Sequence, residues 1–126
     1  MRKFGDFRMS LMRNREFFPI NDFSNMRWGN IYPTDIDGFL DFKGKLFIIF
    51  ELKYNGSKLP FGQKLALERL TDALKVPAYA IIASHNDTKD VRVECCEVLK
   101  YRHNGKWHDG SGNLKAFIDN LVKRYN

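Results

Sequence analysis

Two short apolar segments joined by a basic turn constrain this chain more than anything else in it. Thr34-Asp35-Ile36-Asp37-Gly38-Phe39-Leu40 leads through Lys43-Gly44-Lys45 into Leu46-Phe47-Ile48-Ile49-Phe50-Glu51-Leu52-Lys53. Apolar runs of strand length around a glycine-containing link predict a β-hairpin, with strands over 34–42 and 46–54. If residues 43–45 form the loop, Phe42 faces Leu46, Asp37 lies across from Glu51, and Asp35 lies across from Lys53. Directly opposed Cβ atoms are about 5 Å apart, so Asp37 and Glu51 could share one cation. A slip of one residue would turn the faces over, so the reading depends on this register.

The other face of the hairpin carries Ile36, Gly38, Leu40, Phe42, Leu46, Ile48, Phe50 and Leu52. It is uniformly apolar and requires a core. Phe39, Phe47 and Ile49 share the acidic face, so the carboxylates do not belong to an ordinary solvated surface. Three carboxylates and one ammonium gathered there are costly unless something compensates them, and a divalent cation would. The plainer alternative is an exposed Asp35–Lys53 ion pair, which contributes little.

Asn55 to Pro60 reads as a loop by its breaker residues. Phe61 to Lys75 reads as a helix that must stop before Val76-Pro77. Its Gln63, Leu67, Leu70 and Leu74 share one stripe, headed by the glutamine. Ala78 to Ser84 is an apolar run suited to a buried strand. Val91 to Tyr101 reads as a further strand, followed by a turn near His103-Asn104-Gly105-Lys106. Asn113 to Tyr125 closes the chain as an amphipathic helix with Leu114, Phe117, Ile118, Leu121 and Val122 inward. Residues 1–30 mix Arg2, Lys3, Arg8, Arg13, Arg15 and Arg27 with aromatic residues and predict only short helices, within 7–17 and 21–28. The order of elements is that of one mixed α/β domain spanning residues 1–126.

The chain has 126 residues, a net charge of +6 and 11 Phe, so it can build a core and favours polyanions, nucleic acid before anionic membrane. The longest apolar run, Leu46 to Phe50, is far too short to span a bilayer, and the N-terminus lacks an apolar signal region. No membrane partner and a cytoplasmic location are therefore expected. Adjacent Cys95 and Cys96 fit reduced thiols better than a mutual disulfide. Together with His103 and His108 they lack zinc-ligand spacing.

An Asp followed by Glu-x-Lys at the end of an apolar strand resembles the PD-(D/E)XK nuclease superfamily. The matching residues are Pro33, Asp35, Asp37, Glu51, Leu52 and Lys53, with Asp35-Ile36-Asp37 matching the frequent acidic–apolar–Asp pattern. The resemblance covers residues 33 to about 84 and implies a restriction-endonuclease-like mixed sheet flanked by helices. It implies Asp37 as principal metal ligand with Asp35 auxiliary, although the Pro33-Thr34-Asp35 spacing leaves the reverse assignment open. Glu51 and the Leu52 carbonyl would complete the protein ligands of Mg²⁺ or Mn²⁺. Lys53 would orient or deprotonate water or stabilise the transition state, and Gln63 would assist from its helix. Glu16 is the one candidate for the acidic residue that members carry on a first helix.

Lys58 and Lys64 are candidates for phosphate contact, and His85 could face the same cleft. The function expected is metal-dependent phosphodiester hydrolysis, of DNA in preference to RNA, by an endonuclease or structure-selective enzyme. A homodimer would let a domain of this size reach two strands, and the compact architecture suits a phage or mobile element. The alternatives are a non-catalytic nucleic-acid-binding domain that keeps the fold, and a protein-interaction domain whose carboxylates only form ion pairs.

Overall fold

The structure, a computed structural model, describes residues 22–126. Its contacts divide the chain into two units, Met1–Pro33 and Thr34–Asn126. Glu16, the predicted helix within 7–17 and the basic residues Arg2, Lys3, Arg8, Arg13 and Arg15 lie outside the described residues. Of the helix expected within 21–28, residues 22–28 are not helical: they form a turn, and Trp28 bridges back to Ile31. Glycine at 29 (φ 64°) makes this tight reversal accessible, and the Arg27 guanidinium lies 5.2 Å from the Tyr32 ring centroid.

In the second unit, β1 (Gly38–Phe42) and β2 (Leu46–Tyr54) form the hairpin. There follow α1 (Phe61–Ala73), β3 (Ala78–His85), a short 3₁₀ turn at Val93–Cys95, β4 (Glu97–His103), β5 (Lys106–Asp109) and α2 (Leu114–Tyr125). The five strands form one sheet in sequence order, antiparallel except for the parallel β2–β3 pair that α1 connects. Phe42 opposes Leu46 and Gly38 opposes Phe50, the register that the three-residue loop requires. Lys43 and Gly44, both at positive φ, make that turn.

Side-chain alternation gives the sheet two apolar faces, each covered by one helix. Leu46 and Ile48 from β2 meet Tyr79, Ile81 and Ala83 from β3, Val98 from β4, and Leu114 and Leu121 from α2. Leu40, Phe42, Phe50 and Leu52 pack around this cluster, so the apolar hairpin face has its core. Full burial of a side chain such as Ile48 contributes roughly 1.5–3 kcal/mol. On the opposite face Ile49, Ala80 and Ile82 are buried, as is Leu67 of α1, which lies against β3 and β4.

The stripe predicted on α1 is adjusted by one position. Leu67 is buried, but Leu70 is 40% exposed and Thr71 is the buried residue one turn on. A helix advances 100° per residue, so Thr71 rather than Leu70 stays aligned with Gln63 and Leu67. Helix α2 begins at Asn113, whose side chain accepts the Ala116 N–H at 3.1 Å. Its last turn carries Lys123 and Arg124, favourable at the negative end of the helix dipole.

The strand expected over 91–101 is shifted to Glu97–His103, because Val93–Cys95 is taken by the 3₁₀ turn. A fifth strand follows from Asn104 (φ 52°) and Gly105 (φ 75°), a two-residue turn that folds β5 back on β4. Cys95 is exposed and Cys96 buried, both as free thiols, and burial raises the Cys96 pKa.

Candidate active site

β1 begins only at Gly38, although the sequence extends the strand pattern back to residue 34. Beyond the Gly38–Phe50 pair, β2 continues alone on that edge to Tyr54. The cause is Asp37: its Oδ2 accepts the Leu52 N–H at 2.7 Å, so a carboxylate occupies the place of the next ladder bond. Gly38 beside it leaves space for the Phe50 ring, whose Cζ would lie 2.0 Å from a Cβ there, so a larger residue would require that ring to move. In a strand the N–H and C=O of one residue point to the same edge. The Leu52 carbonyl is therefore directed to the same open notch as Asp37.

Glu51 stands on the α1 face of β2 and is only 4% exposed. Its Oε1 accepts a hydrogen bond from Gln63 Nε2 at 2.6 Å, and Gln63 Oε1 accepts one from Lys53 Nζ at 3.3 Å. The amide orientation follows from chemistry, since a carboxylate can only accept and an ammonium only donate. Gln63 thus reads one partner of each sign and fixes their spacing. Glu51 Oε2 is buried with no hydrogen-bond partner. Burial raises the Glu51 pKa above its ordinary value, and the negative charge of adjacent Asp37 raises it further. The Gln63 hydrogen bond and the Lys53 ammonium oppose that shift without cancelling it.

Asp37, Glu51, Lys53 and Gln63 are brought together. Asp35 precedes β1 and is exposed, and among the described residues it makes no ion pair with the group, so the Asp35–Lys53 pair is absent. Lys58 and Lys64 are exposed near the start of α1. His85 points to the other face, where its ring meets Tyr54 edge-on at 5.8 Å. His103 and His108 are stacked on Tyr79 and Tyr101 rather than poised as ligands.

Two adjacent carboxylates, one with a buried oxygen lacking any donor, and a carbonyl at an open strand edge form an all-oxygen donor set. Hard cations such as Mg²⁺ or Mn²⁺ suit that set. Among the described residues no three His, Cys, Asp or Glu side chains gather, so Asp37, Glu51 and the Leu52 carbonyl would hold such an ion with water completing its shell.

Away from Gln63, the same helix is held to the sheet by Glu68 and Asp72. Arg102 on β4 donates to both Asp72 carboxylate oxygens, at 2.9 and 2.7 Å, and lies 3.6 Å from Glu68. Trp107 Nε1 donates to Glu68 Oε2 at 2.9 Å. This clamp ties α1 to the β4–β5 hairpin. The Glu68 and Asp72 spacing marks an acidic helix stripe, but its partners lie some thirty residues on and are joined to it only by the fold. The comparisons with protein-family models, with characterised proteins and with solved structures find no match for this chain.

Proposed function

We propose that this chain is a metal-dependent phosphodiester hydrolase, a DNA nuclease whose site is built from Asp37, Glu51, Lys53 and Gln63. The observation that carries this reading is the buried, donor-less Glu51 oxygen beside Asp37, with the Lys53 ammonium held one amide away. Such a group is unstable in charge by itself and becomes balanced when a cation and a phosphate occupy it.

When bound, Mg²⁺ or Mn²⁺ would supply Lewis-acid neutralisation of the phosphate and acidify water for attack. Asp37 and Glu51 fix where positive charge sits relative to the strand edge. Gln63 holds Lys53 at a constant distance from Glu51, so the ammonium meets a phosphoryl oxygen or the attacking water without searching rotamers. Lys53 then stabilises the negative charge that develops on the phosphate, or orients the attacking water. Leu52 contributes through its backbone alone, which leaves its side chain to the α2-side core.

Linear, circular and branched DNA incubated with Mg²⁺ or Mn²⁺ tests the reading. The wild-type chain is expected to cleave at least one of them. Glu51→Ala and Lys53→Ala are each expected to lower the rate at least 100-fold, the scale of losing an electrostatic or proton-transfer group. Cleavage that persists unchanged in both folded variants would contradict it.

A further inference from the structure

The α1 face of the sheet carries a second feature beside the carboxylates. Glu51 on β2 is in register with Ile82 on β3, and Ile82 with Lys100 on β4, so the three share one row across the sheet. Between that row and the loop leading into α1 lies a cleft of about 290 Å³. Ile82, Leu59 and Leu99 give it an apolar floor, and Lys58, Lys64 and Lys100 rim it.

No acidic residue lines the cleft, and none of the three lysines makes an ion pair among the described residues. The neighbouring Arg102, on the same face, is by contrast saturated by Asp72 and Glu68. Lys64 rests against the Trp107 ring, with Nζ 5.9 Å from its centroid, which limits its wandering. Two strand spacings separate Lys100 from Glu51, or about 10 Å. The β3–β4 register shift at Ile82/Ala83 brings Leu99 into the cleft wall beside Gly56.

From this arrangement we infer that the cleft is a subsite for the sugar–phosphate backbone of duplex DNA, taking a phosphate next to the one held at Glu51 and Lys53. Unpaired ammonium groups over an apolar floor match a phosphodiester, whose charge lies at its rim and whose sugar is weakly polar. The inference rests on the proposed nuclease reading for what the DNA is doing there. It adds which residues hold the strand and along which direction of the sheet it runs, from β2 toward β4.

Binding measured without divalent metal separates the two. A fluorescein-labelled DNA duplex is titrated in EDTA across a range of salt, with anisotropy as the readout. Lys58→Ala/Lys100→Ala is expected to weaken binding about tenfold or more. It is also expected to lower the slope of log affinity against log salt by about 2, one contact for each lysine. Lys115→Ala/Lys123→Ala removes the same charge from α2 on the opposite face and is expected to leave the slope unchanged. Equal losses in both double variants, or none in the cleft pair, would overturn the inference. Lys58→Gln/Lys100→Gln repeats the test with a polar, uncharged side chain in place, and thermal unfolding checks the fold of each. Failure of the wild type to cleave with Mg²⁺ would count against the carboxylate site and leave this result intact.

Discussion

Glu51 pays for its position. Its carboxylate is buried, faces Asp37 and has one oxygen without a donor, so the charged form is disfavoured in the folded chain. The sign of the pH dependence follows. Between the ordinary glutamate value and the raised one, the folded state binds more protons at this position than the unfolded state, so its contribution to stability falls as pH rises through that window. Asp72 and Glu94 are shifted downward by Arg102 and by local hydrogen bonding, and contribute with the opposite sign. The comparison of wild type with Glu51→Gln isolates the one residue. At neutral pH and without divalent metal, Glu51→Gln is expected to be more stable by roughly 1 kcal/mol, the scale of a buried group left unpaired. That advantage should vanish as the pH drops below the ordinary carboxylate range, where wild-type Glu51 is itself neutral. Thermal unfolding across pH measures it, and a variant less stable than wild type at neutral pH would show that Glu51 is already compensated.

At the scale of elements, the site depends on α1 being held at a fixed height over β2. Gln63 sits in the first turn of α1, whereas the Arg102 and Trp107 clamp grips the same helix further along at Glu68 and Asp72. Arg102→Ala removes a bidentate pair whose guanidinium side chain is only 12% exposed and leaves Glu68 facing Trp107 alone. A loss of about 1–3 kcal/mol in denaturant unfolding is expected, together with weaker cleavage, because Gln63 loses its alignment. An unchanged unfolding midpoint would show that α1 is held by Leu67 and Thr71 without the clamp.

The same elements show what was legible in sequence. The hairpin register could be derived because Lys43-Gly44-Lys45 fixes the loop and one face is wholly apolar. Helix α2 could be placed from its periodic Leu114, Phe117, Ile118 and Leu121. The spacing places Gln63 at the head of a helix stripe, but its place in the site is implied by the resemblance alone. The late start of β1 could not be read, since there the Asp37 side chain accepts the Leu52 N–H in place of a backbone carbonyl, and alternation does not encode that. Nor could β5, which relies on an Asn-Gly turn whose second strand is only four residues long. Arg102 and Lys100 were invisible because their meaning comes from which strand lies beside β3.

For the whole molecule, the sheet has a division of labour. The C-terminal end of β2, α1 and the residue before β1 supply Glu51, Gln63 and Asp37, while the α2 face supplies the larger continuous core. No described helix is long and apolar enough to cross a membrane. Lys58, Lys64 and Lys100 around the cleft lie on the same side of the sheet as Glu51, where binding of a polyanion is proposed. Asp37 and Glu51 are proposed to hold one cation together at the notch where β2 outruns β1. An anomalous difference map from a crystal soaked in Mn²⁺ tests it most directly. The expected result is a single strong peak between the carboxylates of Asp37 and Glu51, beside the Leu52 carbonyl. A peak bound by Asp35 without Glu51, or none near either residue in a well-ordered site, would contradict it.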